Sequence, residues 1–436
     1  MKRFLGLCLV WPALVQAGGF ALPVERYELQ NGLVVLTIED HSAPVASYYT
    51  FYKVGSRNER PGITGISHYF EHMMFNGATI YGPKEFDRLL ESHGGYSNAF
   101  TSNDMTAYYE DFASANLELV LKLEADRMHG LLFDPEVMES ERGVVAEERR
   151  VGTDNDPYGA VDELLFATAY VAHPYQWPVI GWMADIERYM RQECLDYFAT
   201  YYAPNNATVI LAGEFDTKAA LAMIERYLGD LKPGPEPLPV VRSEPPQQGE
   251  RRALLRIPAE VPLVAAAYHV PGAESDDAIV LEVIGAIMNS GESSRLQREL
   301  VFKREIALDV YIDYYYRLDP NLIYFLLDVN PDSSTAVAEK YLYTELDRLA
   351  AVPVAADELA KAKNKLLAAY YRDLKTNNGR AQQVGMYDLW YGDYRRLFDV
   401  PDRLERVTPE DVRRVAAAYF TEDTRTVVTL EPVHAE

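Results

Sequence analysis

The stretch QECLDYFATYYAPNNATVILA (residues 192–212) has a counterpart in PEDVRRVAAAYFTEDTRTVVTL (residues 409–430). Each reads as an amphipathic helix closing on two aromatic residues, then a polar turn, then a β-branched strand. The recurrence divides the 436-residue chain into two halves of similar plan, residues 22–232 and 253–436. Between them, residues 233–252 hold six prolines and little hydrophobic pattern, the composition of an exposed linker. The length exceeds that of a usual single domain. Hydrophobic residues at 48% and charged residues at 25% are ordinary for a globular protein. The expected fold is α+β: two homologous α/β-sandwich halves, each an antiparallel-rich sheet with helices on one face.

The ends and the charge set further bounds. Lys2 and Arg3 precede an apolar run from Phe4 to Val15, and small residues follow near Ala17 and Ala21. That pattern predicts a secretory signal peptide over residues 1–21, too short to remain as a membrane anchor. Cys8 lies in the apolar run without a lipobox, so the mature chain carries one thiol, Cys194, and no internal disulfide. Export without disulfides points to the periplasm, with extracellular release as the alternative. The net charge of −24 argues against nucleic acid and anionic membranes as partners.

In the first half, Gln30-Asn31-Gly32 marks a turn between two strand-like runs ending at Glu39, and Val45 to Val54 predicts another strand. A helix from Lys84 to Ser92 stops at Gly94-Gly95. Two paired strands follow, Tyr96 to Thr101 and Thr106 to Glu110. Helices are then expected over 113–130 and 136–150.

Before these helices lies His68-Tyr69-Phe70-Glu71-His72. On a helix, residues four apart share a face, so both imidazoles reach one ion, with Glu71 on the same side. The chain holds only 8 histidines, which weighs against two incidental ones at this spacing. The order H-x-x-E-H is the inverse of the H-E-x-x-H zinc-protease motif, in which the glutamate is a general base. A catalytic zinc takes three protein ligands. The Glu-rich stretch supplies candidates in Glu139, Glu141, Glu147 and Glu148. Glu141 and Glu148, seven apart, occupy one face. Glu139 and Glu147 read better as solvated partners of arginine. Periodicity does not decide which of Glu141 and Glu148 binds metal.

Together these segments resemble the M16 zinc peptidases, which include pitrilysin, insulin-degrading enzyme and the mitochondrial processing peptidase. The resemblance rests on His68-Tyr69-Phe70-Glu71-His72-Met73 with Glu141-Arg142-x-Val144-Val145-x-x-Glu148 downstream. It extends through residues 98–108, His173-Pro174-Tyr175, Tyr201 to Gly213 and Ser294-Arg295-Leu296. It covers nearly the whole mature chain and matches the short, two-domain members. The resemblance implies two halves forming part of a clam-shell. It implies one Zn2+ per chain on His68, His72 and Glu148. Glu71 is then the base that activates water for peptide-bond hydrolysis, with Glu141 supporting the site. Substrate backbone is expected to pair with the strand of Asn98, Ala99 and Phe100.

The second half departs from the family pattern. Active members commonly carry an Arg and a Tyr seven residues apart that hold the substrate carbonyl and backbone. Ungapped alignment on Ser294-Arg295-Leu296 puts Val301 and Leu308 there. A shifted pairing, Arg304 with Tyr311, keeps the spacing but breaks the match at Ile306-Ala307, so the ungapped reading is favoured. The expected function is a zinc endopeptidase acting on peptides or unfolded polypeptides. The expected assembly is a heterodimer with an M16-like partner that supplies the Arg/Tyr pair, with a homodimer as the alternative. Two other readings compete: a non-catalytic peptide-binding or scaffold subunit, and a processing peptidase for one small peptide.

Overall fold

The computed structural model describes residues 21–240 and 243–433. Residues 1–20, the body of the expected signal peptide, lie outside the described residues. No described helix is long and apolar enough to cross a membrane.

Two sheets organise the chain. The first contains β1 (Val24–Glu28), β2 (Val34–Glu39), β3 (Val45–Tyr52), β4 (Tyr96–Thr101), β5 (Thr106–Ala113) and β6 (Ala207–Gly213), in the order β1-β2-β6-β3-β5-β4. The second contains β7 (Arg251–Ile257), β8 (Leu263–Val270), β9 (Ala307–Asp313), β10 (Asn321–Val329) and β11 (Arg425–Pro432), in the order β7-β11-β8-β10-β9. In the first sheet only β2 and β6 run parallel, and in the second only β7 and β11. The second sheet thus repeats the first with β1 removed.

The helices of the first half are α1 (Ile66–Met73), α2 (Glu85–Ser92), α3 (Leu117–Gly130), α4 (Pro135–Arg149), α5 (Pro157–Ala169), α6 (Met183–Ile186), α7 (Arg191–Tyr201) and α8 (Thr217–Leu228). The second half adds α9 (Asp277–Asn289), α10 (Thr335–Ala351), α11 (Ala356–Asp373), α12 (Asn377–Tyr391), α13 (Val400–Arg406) and α14 (Pro409–Tyr419). The two similar stretches of sequence are α7 with β6 and α14 with β11.

Two compact units result, and they cut across the sequence halves. Unit 1 holds residues 21–146, Val179–Val240 and Asp373–Phe398. Unit 2 holds Glu147–Pro178, residues 243–372 and residues 399–433. So α12, from the second half, lies on the first sheet, and α5, from the first half, lies on the second.

Strand alternation explains how unit 1 takes helices on both faces of its sheet. On β3, Tyr48, Thr50 and Tyr52 point one way, and Thr50 Oγ1 donates to Glu124 of α3 at 3.0 Å. Tyr49 and Phe51 point the other way, toward α12. The Tyr49 hydroxyl donates to Asn378 at 2.9 Å, and Asn378 donates on to Asp111 of β5 at 2.9 Å. At Gly385 a Cβ would stand 2.2 Å from the Phe51 ring, so only glycine lets α12 approach this closely. Apart from α5 and α12, each half's helices lie in the unit of that half's own sheet, and α12 and α5 each cover a face of the other half's sheet.

In unit 2, α5 is capped by the Asp156 carboxylate, which accepts the Gly159 N–H, and it begins with Pro157. Its Val161, Leu165, Phe166 and Ala169 form one apolar cluster with Ala265, Ala267, Val428 and Leu430 of the sheet. Among its described residues the expected linker has no regular structure before β7, yet Glu244 is tied down. The Glu244 carboxylate accepts the N–H groups of Val171, Ala172 and His173 at 2.9–3.0 Å. Cys194 is buried, and burial pushes its thiol up to about 12, which leaves it unreactive at neutral pH.

The core of unit 1 contains a charged group with almost no access to water. Arg127 pairs with Glu110 at 2.9 Å and with Glu124, all three being 0–2% exposed. The guanidinium stacks over the rings of Phe86 at 4.5 Å and Tyr108 at 4.6 Å. Burial, and then the charge of Glu124, raises the proton affinity of Glu110 against the pull of Arg127. Removing the cation strands two buried carboxylates. Arg127→Leu is therefore expected to cost about 3–5 kcal/mol of stability, read as a lower denaturant midpoint in chemical unfolding. A midpoint that does not move would contradict this account.

Candidate metal centre

The helix α1 is short and cannot hold itself in place, so its neighbours fix it. It opens at Gly65 with φ 84°, where a Cβ would stand 2.1 Å from the Ile180 carbonyl oxygen. The buried Glu59 carboxylate accepts the N–H groups of Gly65 and Ser67 at 2.7 and 2.9 Å, so an acidic side chain caps the positive end of the helix. Asp185 accepts the N–H of Gly62 and both N–H and hydroxyl of Thr64, which fixes the approach to α1. Tyr108 donates to the Phe70 carbonyl at 3.1 Å, and the hydroxyls of Ser67 and Tyr197 meet at 2.7 Å. The Phe70 ring stacks on Tyr202, the second aromatic residue closing the first of the two similar stretches, at 5.0 Å.

This burial of Ile66, Tyr69, Phe70 and Met73 turns the polar face outward. His68, Glu71 and His72 are each half-buried there. The two imidazole rings lie 4.9 Å apart between centroids.

The second wall is α4. The Tyr69 hydroxyl donates to the Met138 carbonyl at 2.8 Å and sets the spacing between the helices. Arg142 donates to the Tyr189 carbonyl at 2.8 Å and holds α4 from the other side. Glu141 and Glu148, two turns apart, then both reach α1. Glu141 Oε1 meets His72 Nδ1 at 2.7 Å, and its Oε2 accepts from Asn76 at 2.8 Å. These bonds, the His72 one foremost, hold the Glu141 carboxyl below its ordinary range. A carboxylate only accepts, so Nδ1 carries the proton and Nε2 keeps its lone pair for an ion. Glu148 stands on the last turn of α4, an unbroken helix. One potential ligand atom from each of His68, His72 and Glu148 lies within 4.8 Å of the others. Tetrahedral bonds of about 2.0–2.2 Å to one ion set ligand atoms about 3.3–3.6 Å apart, inside that limit, so the two nitrogens and one oxygen fit a zinc-type set. Among the described residues, no other group of three such side chains meets this way.

The neighbouring glutamates behave differently. Glu139 pairs with Arg142 and Glu147 with Arg150, both in exposed positions. Asn98, Ala99 and Phe100 lie on β4, which is the edge strand beside α1 and pairs only with β5. Asn98 Oδ1 accepts the Ala99 N–H at 2.8 Å and covers a donor of that strand. In unit 2, Leu308 and Tyr311 are exposed on β9, the edge of the second sheet. The Arg304 guanidinium lies 4.2 Å from the Tyr341 ring centre. Two supports were absent from the sequence reading. Asn76, at helical spacing from His72, carried a local signal. Glu59 reaches back from an irregular segment and carried none.

The comparisons with known proteins give the family. Residues 34–181 match the family model described as insulinase (peptidase family M16), and residues 189–366 match the one described as peptidase M16 inactive domain. A Helicobacter pylori zinc protease, PqqE, is 32% identical over 99% of each chain. An uncharacterized zinc protease of Streptomyces coelicolor is 28% identical over 90% of this chain and 86% of its own. A crystal structure of a Helicobacter pylori protease superposes with TM-score 0.92 and 31% identity, covering 95% of this chain and all of the other. A Pseudomonas fluorescens structure described as a peptidase M16 inactive domain superposes with TM-score 0.87 at 17% identity, over 95% and 99% of the chains, a likeness of fold. The chain belongs to the M16 peptidase family.

Proposed function

We propose that this protein is a zinc endopeptidase hydrolysing peptides or unfolded polypeptides. The observation that carries the proposal is the meeting of His68, His72 and Glu148, with Glu141 locking the His72 tautomer and Glu71 next to His72 on the exposed side of α1. A zinc ion bound there supplies a Lewis acid that polarises the scissile carbonyl and acidifies water. The chain's own residues do the rest. Glu71 takes the proton of the attacking water and delivers it to the departing amine nitrogen. Glu141 keeps the His72 ring oriented. The β4 edge pairs with the extended substrate backbone through Asn98, Ala99 and Phe100, which places the bond to be cut beside α1.

On the ungapped reading, the second half carries no Arg/Tyr clamp for that backbone. The ungapped positions are apolar, Val301 and Leu308, and Arg304 already stacks on Tyr341. These features support a heterodimer whose M16-like partner supplies an Arg/Tyr pair. The basic, then apolar, N-terminal pattern supports export to the periplasm.

Glu71→Gln is expected to keep stoichiometric zinc while peptide cleavage falls by about 10²–10⁴-fold. Elemental analysis and a quenched fluorogenic peptide read the two quantities; a variant that still cuts at the parental rate would falsify the role of Glu71. Wild-type protein purified without zinc would favour the scaffold reading. Glu141→Gln removes the acceptor of His72 Nδ1–H. It is expected to weaken zinc binding about 10–100-fold in chelator competition, with cleavage recovering as zinc is raised. Unchanged zinc affinity would leave Glu141 without a positioning role. For the assembly, the chain alone is expected to cleave poorly and to gain activity with its partner. Full activity from a monomer or homodimer rules the heterodimer out.

A further inference from the structure

A second group of polar side chains lies in unit 2, outside any role given above. The end of α9 and the loop after it, the segment from Ser294 to Arg298, Arg348 of α10 and the start of α11 line an open cavity of about 360 Å³, within the size range of small-molecule pockets, about 300–1,000 Å³. Five cationic side chains line it (Arg295, Arg298, Arg348, Lys361 and Lys365) against the two carboxylates of Asp357 and Glu358. Such a concentration stands out in a chain of net charge −24. Like charges held together cost energy unless an anion offsets them.

The donors are held in different ways. Arg295 is only 7% exposed and spends Nε and Nη2 on a two-pronged bond to Glu358 at 2.8 and 2.7 Å. Its Nη1 is buried and has no hydrogen-bond partner, so the Arg295 charge stands beneath the lining and acts on an anion in the cavity through the field alone. Lys361 and Lys365 are anchored to the loop after α9, at Ser293 Oγ and the Ser290 carbonyl. Their charges are thereby fixed at the rim. Arg298 and Arg348 remain largely in solvent. Their carboxylate contacts, to Glu299 at 3.6 Å and Glu345 at 3.8 Å, are too long for hydrogen bonds. The hydroxyls of Ser293 and Ser294 add to the lining.

We propose that this cavity binds a compact polyanion of the phosphate class, with Arg298 and Arg348 closing on its outer oxygens and the buried Arg295 charge behind them. Guanidinium groups match phosphate oxygens in pairs, and ammonium groups add point charges, so the mixed set suits a chain of linked phosphates better than one carboxylate. The source is either a free polyphosphate or the phosphate tail of a nucleotide.

Isothermal titration of the full-length protein with tripolyphosphate, ATP and inorganic phosphate, at constant ionic strength set with NaCl, tests the site. Tripolyphosphate is expected to bind at one per chain, more tightly than inorganic phosphate. The double variant Arg298→Ala/Arg348→Ala is expected to bind it at least tenfold more weakly. Both side chains are exposed, so the variant's unfolding midpoint without ligand should match the parent's. ATP binding equal to tripolyphosphate assigns the site to the phosphate chain alone, and tighter ATP binding with the same loss in the variant assigns it to a nucleotide. No saturable binding, or equal affinity in parent and variant, overturns the proposal.

Discussion

The spacing between α1 and α4 is the constraint on which the candidate centre depends. One hydrogen bond, from the Tyr69 hydroxyl to the Met138 carbonyl, spans the gap on the buried side. On the open side, the same gap is spanned by Glu141 at His72 and by the approach of Glu148 to both imidazoles. A ring held at only one nitrogen can rotate, whereas a ring held at Nδ1 by a carboxylate presents a fixed lone pair. The aromatic residues beneath α1 therefore contribute to the chemistry without touching it. The stacked Phe70 and Tyr202, and the hydroxyls of Tyr108 and Tyr197, decide where the imidazoles stand.

Duplication accounts for the rest of the architecture. The two sheets share one strand order, and the two α–β stretches that close them share a sequence plan. The exchange of α5 and α12 makes neither half self-sufficient, since each sheet relies on the other half's sequence to cover a face. For the first sheet the exchanged helix is specified by polar groups as well as apolar ones: Tyr49, Asn378 and Asp111 form a chain of donors and acceptors that a generic amphipathic helix would not satisfy.

This division also marks what could be read from the sequence. The histidine spacing, the seven-residue step from Glu141 to Glu148, the paired strands and the repeated stretch are local patterns, and local periodicity reports them. Which glutamate faces which histidine was not local. It follows from how far apart two helices pack, and a tyrosine hydroxyl on one helix and a carbonyl on the other set that distance. The destinations of α5 and α12 were equally illegible, because an amphipathic face states that it will be buried and not against what. Glu59 and Glu244 illustrate the same limit. Each is a single acidic residue in an irregular stretch, and each accepts backbone N–H groups remote or unpatterned in sequence. Composition read the second as part of a solvated linker, although its carboxylate clamps three successive amides.

The asymmetry between the halves has a physical origin in the helix that follows each sheet's antiparallel centre strand. In unit 1 that helix is α1, half of whose surface is polar and turned outward. In unit 2 it is α9, where Ala278, Ile279, Val280, Leu281, Val283, Ile284, Ile287 and Met288 are all buried. A helix buried on most sides has no face to offer an ion, and placing two imidazoles there would leave polar nitrogens without partners. The polar chemistry of unit 2 is displaced instead to the end of α9, where Arg295 and the α11 lysines gather at Ser290 to Ser294. The same topology thus supports a metal site where the helix shows a polar stripe, and a cationic cavity where the helix is sealed and only its end is open.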